Sequence, residues 1–360
     1  MITTAYDAAG QMTMQENQIG RKTTYTFDAA GQTATRRFPN GDVTTYTYDN
    51  NGWETGRQYV DGSRVTLAYD AVGNLTTMSD STGVTTYSYD TVSQLTGKTD
   101  PGPLVQAYTY DLVGQRATLK DPDNGVRTFT YDTLGRTSSI QLPGSSPRVT
   151  YQYDAAGRRT TILHGSTSAE LSTFDAVGNT LNRKSGPVGA PVANVTMTYD
   201  LVGNLETKRD SQGYTRTITY DGKDQITQEA HSGPGMPANY TYGYNATGDR
   251  TSSNENSNTL LTTVDAAGRV VTTVQASKLC TFSYDLNGNL SSIVGWVVSQ
   301  NENTSMTYDY ENRLHVHTDH LVSKKVTYTY SGEGLKRREV SQTGVVTTFV
   351  WDGSEYLGEV

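Results

Sequence analysis

The 360-residue chain has a single cysteine, Cys280. That excludes an intrachain disulfide and a cysteine-built zinc site. Set in Leu279-Cys280-Thr281-Phe282, it reads as a small buried strand residue. No apolar run approaches the roughly 18 residues that a membrane-spanning helix needs. The opening Met1-Ile2-Thr3-Thr4-Ala5-Tyr6-Asp7 has neither a basic region nor an apolar stretch, so no signal peptide is expected in this chain. Phenylalanine numbers only 6 and hydrophobic residues make up 34%. A conventional globular core of this length would draw on more Leu, Ile and Phe. Charge of one sign is not concentrated either: the net charge is -8, and basic residues occur only in short groups such as Arg36-Arg37, Arg158-Arg159 and Lys336-Arg337-Arg338. These read as solvated strand or turn ends. With no basic stripe to displace counterions, a nucleic-acid partner is disfavoured.

Catalytic signatures are missing too. No G-x-S-x-G, H-E-x-x-H or phosphate-binding G-x-x-x-x-G-K-[ST] occurs. The nearest approach to a metal set is His315, His317, Asp319 and His320. On a strand the first three would share a face, but an exposed polar strand accounts for them equally simply. Asp121-Pro122-Asp123-Asn124-Gly125 resembles the start of a calcium loop, yet its Gly falls one place early and no Glu closes it. It reads as a turn. No catalytic residue, metal site or cofactor is assigned, and the chain is expected not to be an enzyme.

What is present is tyrosine, 25 of them, and glycine, 35. Tyr with Thr and Val suits short strands, and Gly suits tight turns. An aromatic followed by Asp recurs from Tyr6-Asp7 to Trp351-Asp352, at intervals of about 20 to 25 residues, most often about 21. Degenerate copies stand at Tyr244-Asn245, Val264-Asp265 and Tyr330-Ser331. The array holds about seventeen units and spans 1–360 as a single repeat domain. Within a unit, Val43-Thr44-Thr45-Tyr46-Thr47-Tyr48 alternates with period two, as a half-buried strand does. Asp-x-x-Gly follows: the Asp can accept N–H bonds inside the turn, and the Gly can take the positive φ of a bulged hairpin loop. Asp224 and Asn312 replace that Gly with side chains that tolerate the left-handed region, whereas Ser93 and Glu355 predict remodelled loops. The structural signature is carried by Tyr48, Asp49 and Gly52; Tyr69, Asp70 and Gly73; Tyr131, Asp132 and Gly135; Tyr153, Asp154 and Gly157; Tyr199, Asp200 and Gly203; and Tyr284, Asp285 and Gly288.

A second strand and a second turn, as at Asn40-Gly41 or Asp61-Gly62, complete each unit. Longer linkers at Gly186-Pro187 to Pro191 and at Gly233-Pro234-Gly235-Met236-Pro237 read as loops on one rim, and Gly295-Trp296 to Asn303, without Pro, as an extended hairpin. About 34 strands at about 4.8 Å each would make a flat sheet roughly 160 Å wide. Twisted open sheets rarely exceed about ten strands. The expected fold is therefore all-β, tandem β-hairpin repeats coiled into a spiral β-sheet wall. Tyr rings at one register are expected to stack as ladders across it.

The pattern Y-x-Y-D-x-x-G-[NR]-L, seen in Tyr199-Asp200-Leu201-Val202-Gly203-Asn204-Leu205, resembles the YD repeat of the RHS family over essentially the whole chain. Tyr310-Glu311-Asn312-Arg313-Leu314 and Phe349-Val350-Trp351-Asp352-Gly353 resemble the last units of that family's core. The resemblance implies a hollow β-shell, which in bacterial members often encloses a C-terminal toxin and in animal teneurins is a related barrel at the cell surface. The family's plug, its D-H-L-G element and its cleavage site are not found here; Asp319-His320-Leu321 is followed by Val322 and lies before the last units. An incomplete shell is expected: a structural segment of a larger RHS-like secreted or toxin-delivering protein. Its partners would be the rest of its own polypeptide, a plug and a C-terminal cargo, and its location secreted or cell-surface. The alternative is a surface module binding glycan or protein through exposed Tyr ridges. Uncovered strand edges at both ends predict edge-to-edge association.

Overall fold

The computed structural model of the chain describes residues 2–144, 147–235, 238–256, 258–297 and 300–359. The fold is all-β, with 34 strands and no helix among the described residues. The chain forms two compact units: Met1–Val105 with Thr262–Val360, and Gln106–Leu261. They are called here the split unit and the inserted unit. In each, consecutive strands pair antiparallel as hairpins of one kind.

The hairpin follows from its residues. In Val43–Tyr48 the exposed Thr45 and Thr47 alternate with half-buried Tyr46 and Tyr48. This strand pairs with Glu54–Gln58 across Asp49-Asn50-Asn51-Gly52. The Gly52 N–H donates to Asp49 O (3.1 Å) and the Asp49 N–H to Trp53 O (3.0 Å), with Gly52 at φ 85°. A type I turn closed by a left-handed residue is what a bulged loop demands, and Gly takes that φ without a Cβ clash. Beyond the turn, Tyr48 pairs with Glu54 but Thr47 with Gly56, so the returning strand carries one extra residue. The same shift recurs at the aromatic of unit after unit, among them Tyr69, Tyr131, Tyr199, Tyr284 and Tyr330. Such a bulge bends the strand and takes a carbonyl out of the ladder.

Loops test the sequence reading in detail. Ser93 is not remodelled: it sits at φ 64° and its N–H donates to Asp90 O at 3.2 Å, the ordinary turn with Ser in the Gly position. Asp224 and Asn312 do the same at 59° and 60°. Glu355 does break the pattern, because Asp352 pairs directly with it and leaves a two-residue connection. Gly186 and Pro187 are strand rather than loop, pairing with Ala169 and Ser168. Met236 and Pro237 lie outside the described residues. The stretch without Pro does extend a hairpin, with Gly295 opposite Glu302 and Trp296 opposite Asn301.

The two units differ in what covers the sheet. In the split unit, hairpins from the late segment pack on hairpins from the early one, burying Val65, Met78, Val326 and Val350. Gly332 lies so close that a Cβ there would meet Val65 Cγ1 at 2.7 Å and Met78 Sδ at 2.9 Å. Cys280 is fully buried, and burial pushes its thiol pKa up. In the inserted unit only scattered residues are buried, such as Tyr108, Leu119, Ala169 and Ile218. Most of its strand residues stay half-exposed on both faces.

Candidate functional site

The first functional element is the joint between successive hairpins, built at the signature residues. The turn Asp does two things. Its Oδ1 accepts the N–H groups two and four residues on, as Asp132 does from Leu134 (2.9 Å) and Arg136 (3.0 Å). Its Oδ2 binds the side chain at the fourth position, Arg136 Nε at 2.7 Å. Asp70, Asp154 and Asp200 repeat the arrangement with Asn74, Arg158 and Asn204. The Asn74 amide holds the Asp70 carboxyl below its usual range, and Arg136 does so for Asp132, in both cases against the opposing effect of burial.

That fourth residue then reaches the next unit. Gln32 Nε2 donates to Gly52 O at 2.9 Å, and Arg158 Nη1 to Asp175 O at 2.7 Å. The Arg136, Arg269 and Arg313 guanidiniums lie over the next unit's Tyr153, Tyr284 and Tyr330 rings, at 4.4, 4.4 and 4.7 Å. Trp53 occupies the same place against Tyr69, with ring centroids 5.5 Å apart. The aromatic completes the joint through its hydroxyl. Tyr48 OH donates to Thr33 O (3.0 Å), Tyr131 OH to Arg116 O (2.9 Å), Tyr199 OH to Thr180 O (2.9 Å) and Tyr284 OH to Val270 O (2.7 Å). Thr33, Arg116 and Thr180 each lie at the bulge of the preceding hairpin, so the phenol satisfies a carbonyl that the bulge removed from the ladder. Trp351 keeps the bond with its indole N–H, to Lys336 O at 2.7 Å.

The ring ladder expected from the sequence is thus replaced. The recurring partners of these tyrosines are a carbonyl and a side chain of the previous turn. The residue after the turn Gly was the missed functional position. Its signal was visible as a recurring Asn, Arg or Gln, but nothing local says that it points at the next hairpin.

The second element is the contact within the split unit, where turn tips of late hairpins dock on early strands and second turns. Asn287 Oδ1 accepts the Asn40 N–H at 3.0 Å, and Glu311 pairs with Arg36 at 2.7 Å. Gly332 N–H donates to Asp80 Oδ2 (2.7 Å), Gly332 O accepts from Arg57 Nη1 (3.1 Å), and Tyr87 OH donates to Glu333 Oε1 (2.8 Å). The partners are separated by 246 to 275 residues in sequence. Deeper in, Asp100 lies between Lys98 Nζ (3.2 Å) and Arg337 Nη1 (2.9 Å), all three more than nine-tenths buried. Arg337 Nη2 also reaches Thr85 Oγ1 at 3.1 Å. Burial raises the Tyr46 phenol to about 12, and burial together with Glu333 raises Tyr87 further.

Between the docked hairpins runs a cleft of about 400 Å³ walled by Tyr59, Tyr308, Tyr310, Tyr328 and Tyr330. Tyr59 and Tyr310 stack at 5.7 Å, and Asp61, Glu311 and His315 also line it. The histidine group noted in the sequence does not converge: His315 Nδ1 is 3.0 Å from Tyr328 O, and His320 Nε2 is 2.9 Å from Ser305 Oγ. Among the described residues no three His, Cys, Asp or Glu side chains could hold a metal ion.

No curated protein matches the sequence. Solved structures match its fold. A crystal structure of TcdB2-TccC3 without its hypervariable C-terminal region has a TM-score of 0.71 at 14% identity, covering 98% of this chain and 22% of that chain. The Photorhabdus luminescens Tc holotoxin pore has a TM-score of 0.70 at 15% identity, again covering 98% of this chain and 22% of that one. The chain therefore spans about a fifth of the length of these structural relatives, 22% in each. The teneurin YD-shell family pattern matches residues 1–181, half of the sequence, and the chain belongs to the teneurin YD-shell family.

Proposed function

We propose that the chain is a non-enzymatic segment of shell wall in a larger secreted or toxin-delivering polypeptide, one that encloses a cargo domain lying outside this sequence. The observation that carries this reading is the docking of late turn tips on early hairpins, at sequence separations near 250 residues. A hairpin array that contacts itself at such a separation joins one run of repeats to another, as a wall requires. The hairpin joint supports the same reading, because it ties each hairpin to the next by side chains that reach the neighbour's main-chain carbonyls. The structural relatives are longer toxin-complex chains, and the name of one states a hypervariable C-terminal region, which fits a wall with exchangeable contents. Negative-stain electron microscopy with small-angle scattering tests this. A curved, hollow particle is the expected result, and a straight solid rod would remove the cavity and the reading with it.

A second reading, a glycan-binding surface module, is favoured by one observation, the tyrosine cleft with its carboxylates. Aromatic faces stack on sugar rings while acidic groups accept their hydroxyls. A glycan array with wild type and Tyr310→Ala tests it. Saturable binding lost in the variant would support it; no binding above background would dismiss it.

A further inference from the structure

The tyrosine cleft of the split unit carries a charge that a neutral sugar would leave unmatched. Its aromatic walls are fixed before any ligand arrives. Tyr308 and Tyr330 donate their hydroxyls to Leu290 O and Leu314 O, each at 2.8 Å. Tyr59 and Tyr310 stack on each other, so each offers one outer face. Three carboxylates line the same space, Asp61, Asp309 and Glu311, against one guanidinium among the described residues, that of Arg313.

Arg313 does not balance all three. Its Nε lies 2.7 Å from Asp309 Oδ2, so it neutralises that carboxylate. Asp61 Oδ1 accepts from the Ser63 N–H and hydroxyl within its own turn, at 2.9 and 2.6 Å, and Oδ2 has no hydrogen-bond partner among the described residues. Glu311 Oε2 is held by Arg36 at 2.7 Å, whereas Oε1 is buried and has no hydrogen-bond partner among the described residues. A buried acceptor left unpaired is costly, and a carboxylate oxygen is satisfied most strongly by a charged donor. The phenols register the same field: burial and then Glu311 raise the pKa of Tyr59, and burial and then Asp61 and Asp42 raise that of Tyr310. Ring faces beside carboxylates that are not neutralised suit a ligand that is both flat-faced and cationic.

We propose that the cleft selects sugars with a free amine, a hexosamine unit stacked on tyrosine with its ammonium on Glu311 and Asp61. The inference rests on the glycan reading of this cleft and adds the charge of the sugar. Amino sugars bind tightly, their N-acetylated forms weakly, and sugar acids are repelled. Stacking alone would not separate the three, because each presents a similar ring face.

Isothermal titration of the whole chain tests it, at about pH 6, where amines are protonated and carboxylates ionised. The ligands are a glucosamine tetramer, its N-acetylated form, a galacturonate tetramer and spermidine, with far-UV circular dichroism to show that each variant folds. The glucosamine tetramer is expected to bind saturably, at least about tenfold tighter than the N-acetylated form, and the galacturonate not at all. Glu311→Gln should remove that preference, Asp61→Asn should narrow it about threefold, and Tyr310→Ala should weaken both forms. Asp61 is exposed, so its variant carries the test if Glu311→Gln fails to fold. Equal binding of the two glucosamine forms, or the full preference in the folded carboxylate variants, would overturn the proposal and leave the glycan reading standing. Spermidine bound as tightly as the tetramer would also overturn it, since no sugar ring is then needed. Silence from every oligomer would sink both.

Discussion

The split and inserted units are made of the same hairpin and are covered differently. In the split unit, a buried group of ions and a close-packed glycine lie where hairpin meets hairpin. In the inserted unit, the equivalent strands are half-exposed and the turn tips bare. The repeat chemistry is thus a local device for joining neighbours, indifferent to what lies above it. Stability beyond that joint comes from contacts between runs of repeats. Substitutions at equivalent positions should separate the two contributions.

The largest difference is expected at the ions. Arg337→Met leaves Asp100 buried beside Lys98 alone and should cost about 3–5 kcal/mol in denaturant unfolding. Arg216→Met removes one of two partners of Glu229, which keeps His231 at 3.2 Å, at a pair whose arginine is 37% exposed, and should cost about 1 kcal/mol or less. Equal losses would mean that the buried group is not the anchor of the split unit.

Next comes a matched pair of glycines. Gly332 and Gly222 both follow the first residue of a turn, and neither has a positive φ. A Cβ at Gly332 would press on Val65 and Met78, whereas one at Gly222 meets nothing within 4 Å. Gly332→Ala should cost about 1–3 kcal/mol. Gly222→Ala should be neutral or slightly stabilising, since Ala narrows the unfolded ensemble.

A smaller effect should be the same in both units. Tyr131→Phe and Tyr308→Phe each lose a hydroxyl bonded to a bulge carbonyl, at 2.9 and 2.8 Å. Each should cost about 0.5–1.5 kcal/mol. A much larger loss in one unit would show that the joint depends on coverage after all.

The smallest single effects are those of the turn carboxylates, whose pKa values are lowered in Asp70 of the split unit and in Asp132 and Asp154 of the inserted one. A lowered folded-state pKa means that the unfolded chain binds the proton more readily. The stabilisation is then fully present above the unfolded value, near about 3.9, and is lost as pH falls through the lower folded value. Acid titration of thermal stability should show this loss below about pH 4, and Asp132→Asn should flatten the curve slightly.

The fold was legible because its information is local and repeated. Alternating Thr and Tyr, Asp-x-x-Gly, and a constant interval gave strand, turn and hairpin without any distant contact. Even Ser93, expected to remodel its loop, was misjudged only because a non-glycine residue can accept a left-handed φ when the turn around it is strongly determined. The aromatic role was half legible. A Tyr at fixed register announces a repeated contact, but whether its ring or its hydroxyl is used depends on where the neighbouring hairpin places the carbonyl freed at its bulge, which no residue type marks. The docking surface was not legible at all. Arg36 and Glu311, or Asp100 and Arg337, are ordinary charged residues in sequence. What makes them partners is the path of the chain over some 250 residues, which accumulates from small bends that a repeat pattern does not specify.

Native-state hydrogen exchange tests most directly whether contacts between runs of hairpins, rather than the joint itself, set local stability. The comparison is between Arg64–Tyr69 with Leu75–Asp80 in the split unit and Thr215–Tyr220 with Ile226–Ser232 in the inserted unit. The first pair is predicted to exchange only on global unfolding, and the second through easier local opening, with a gap that narrows in Arg337→Met. Equal protection of the two hairpins in the wild type would contradict the account.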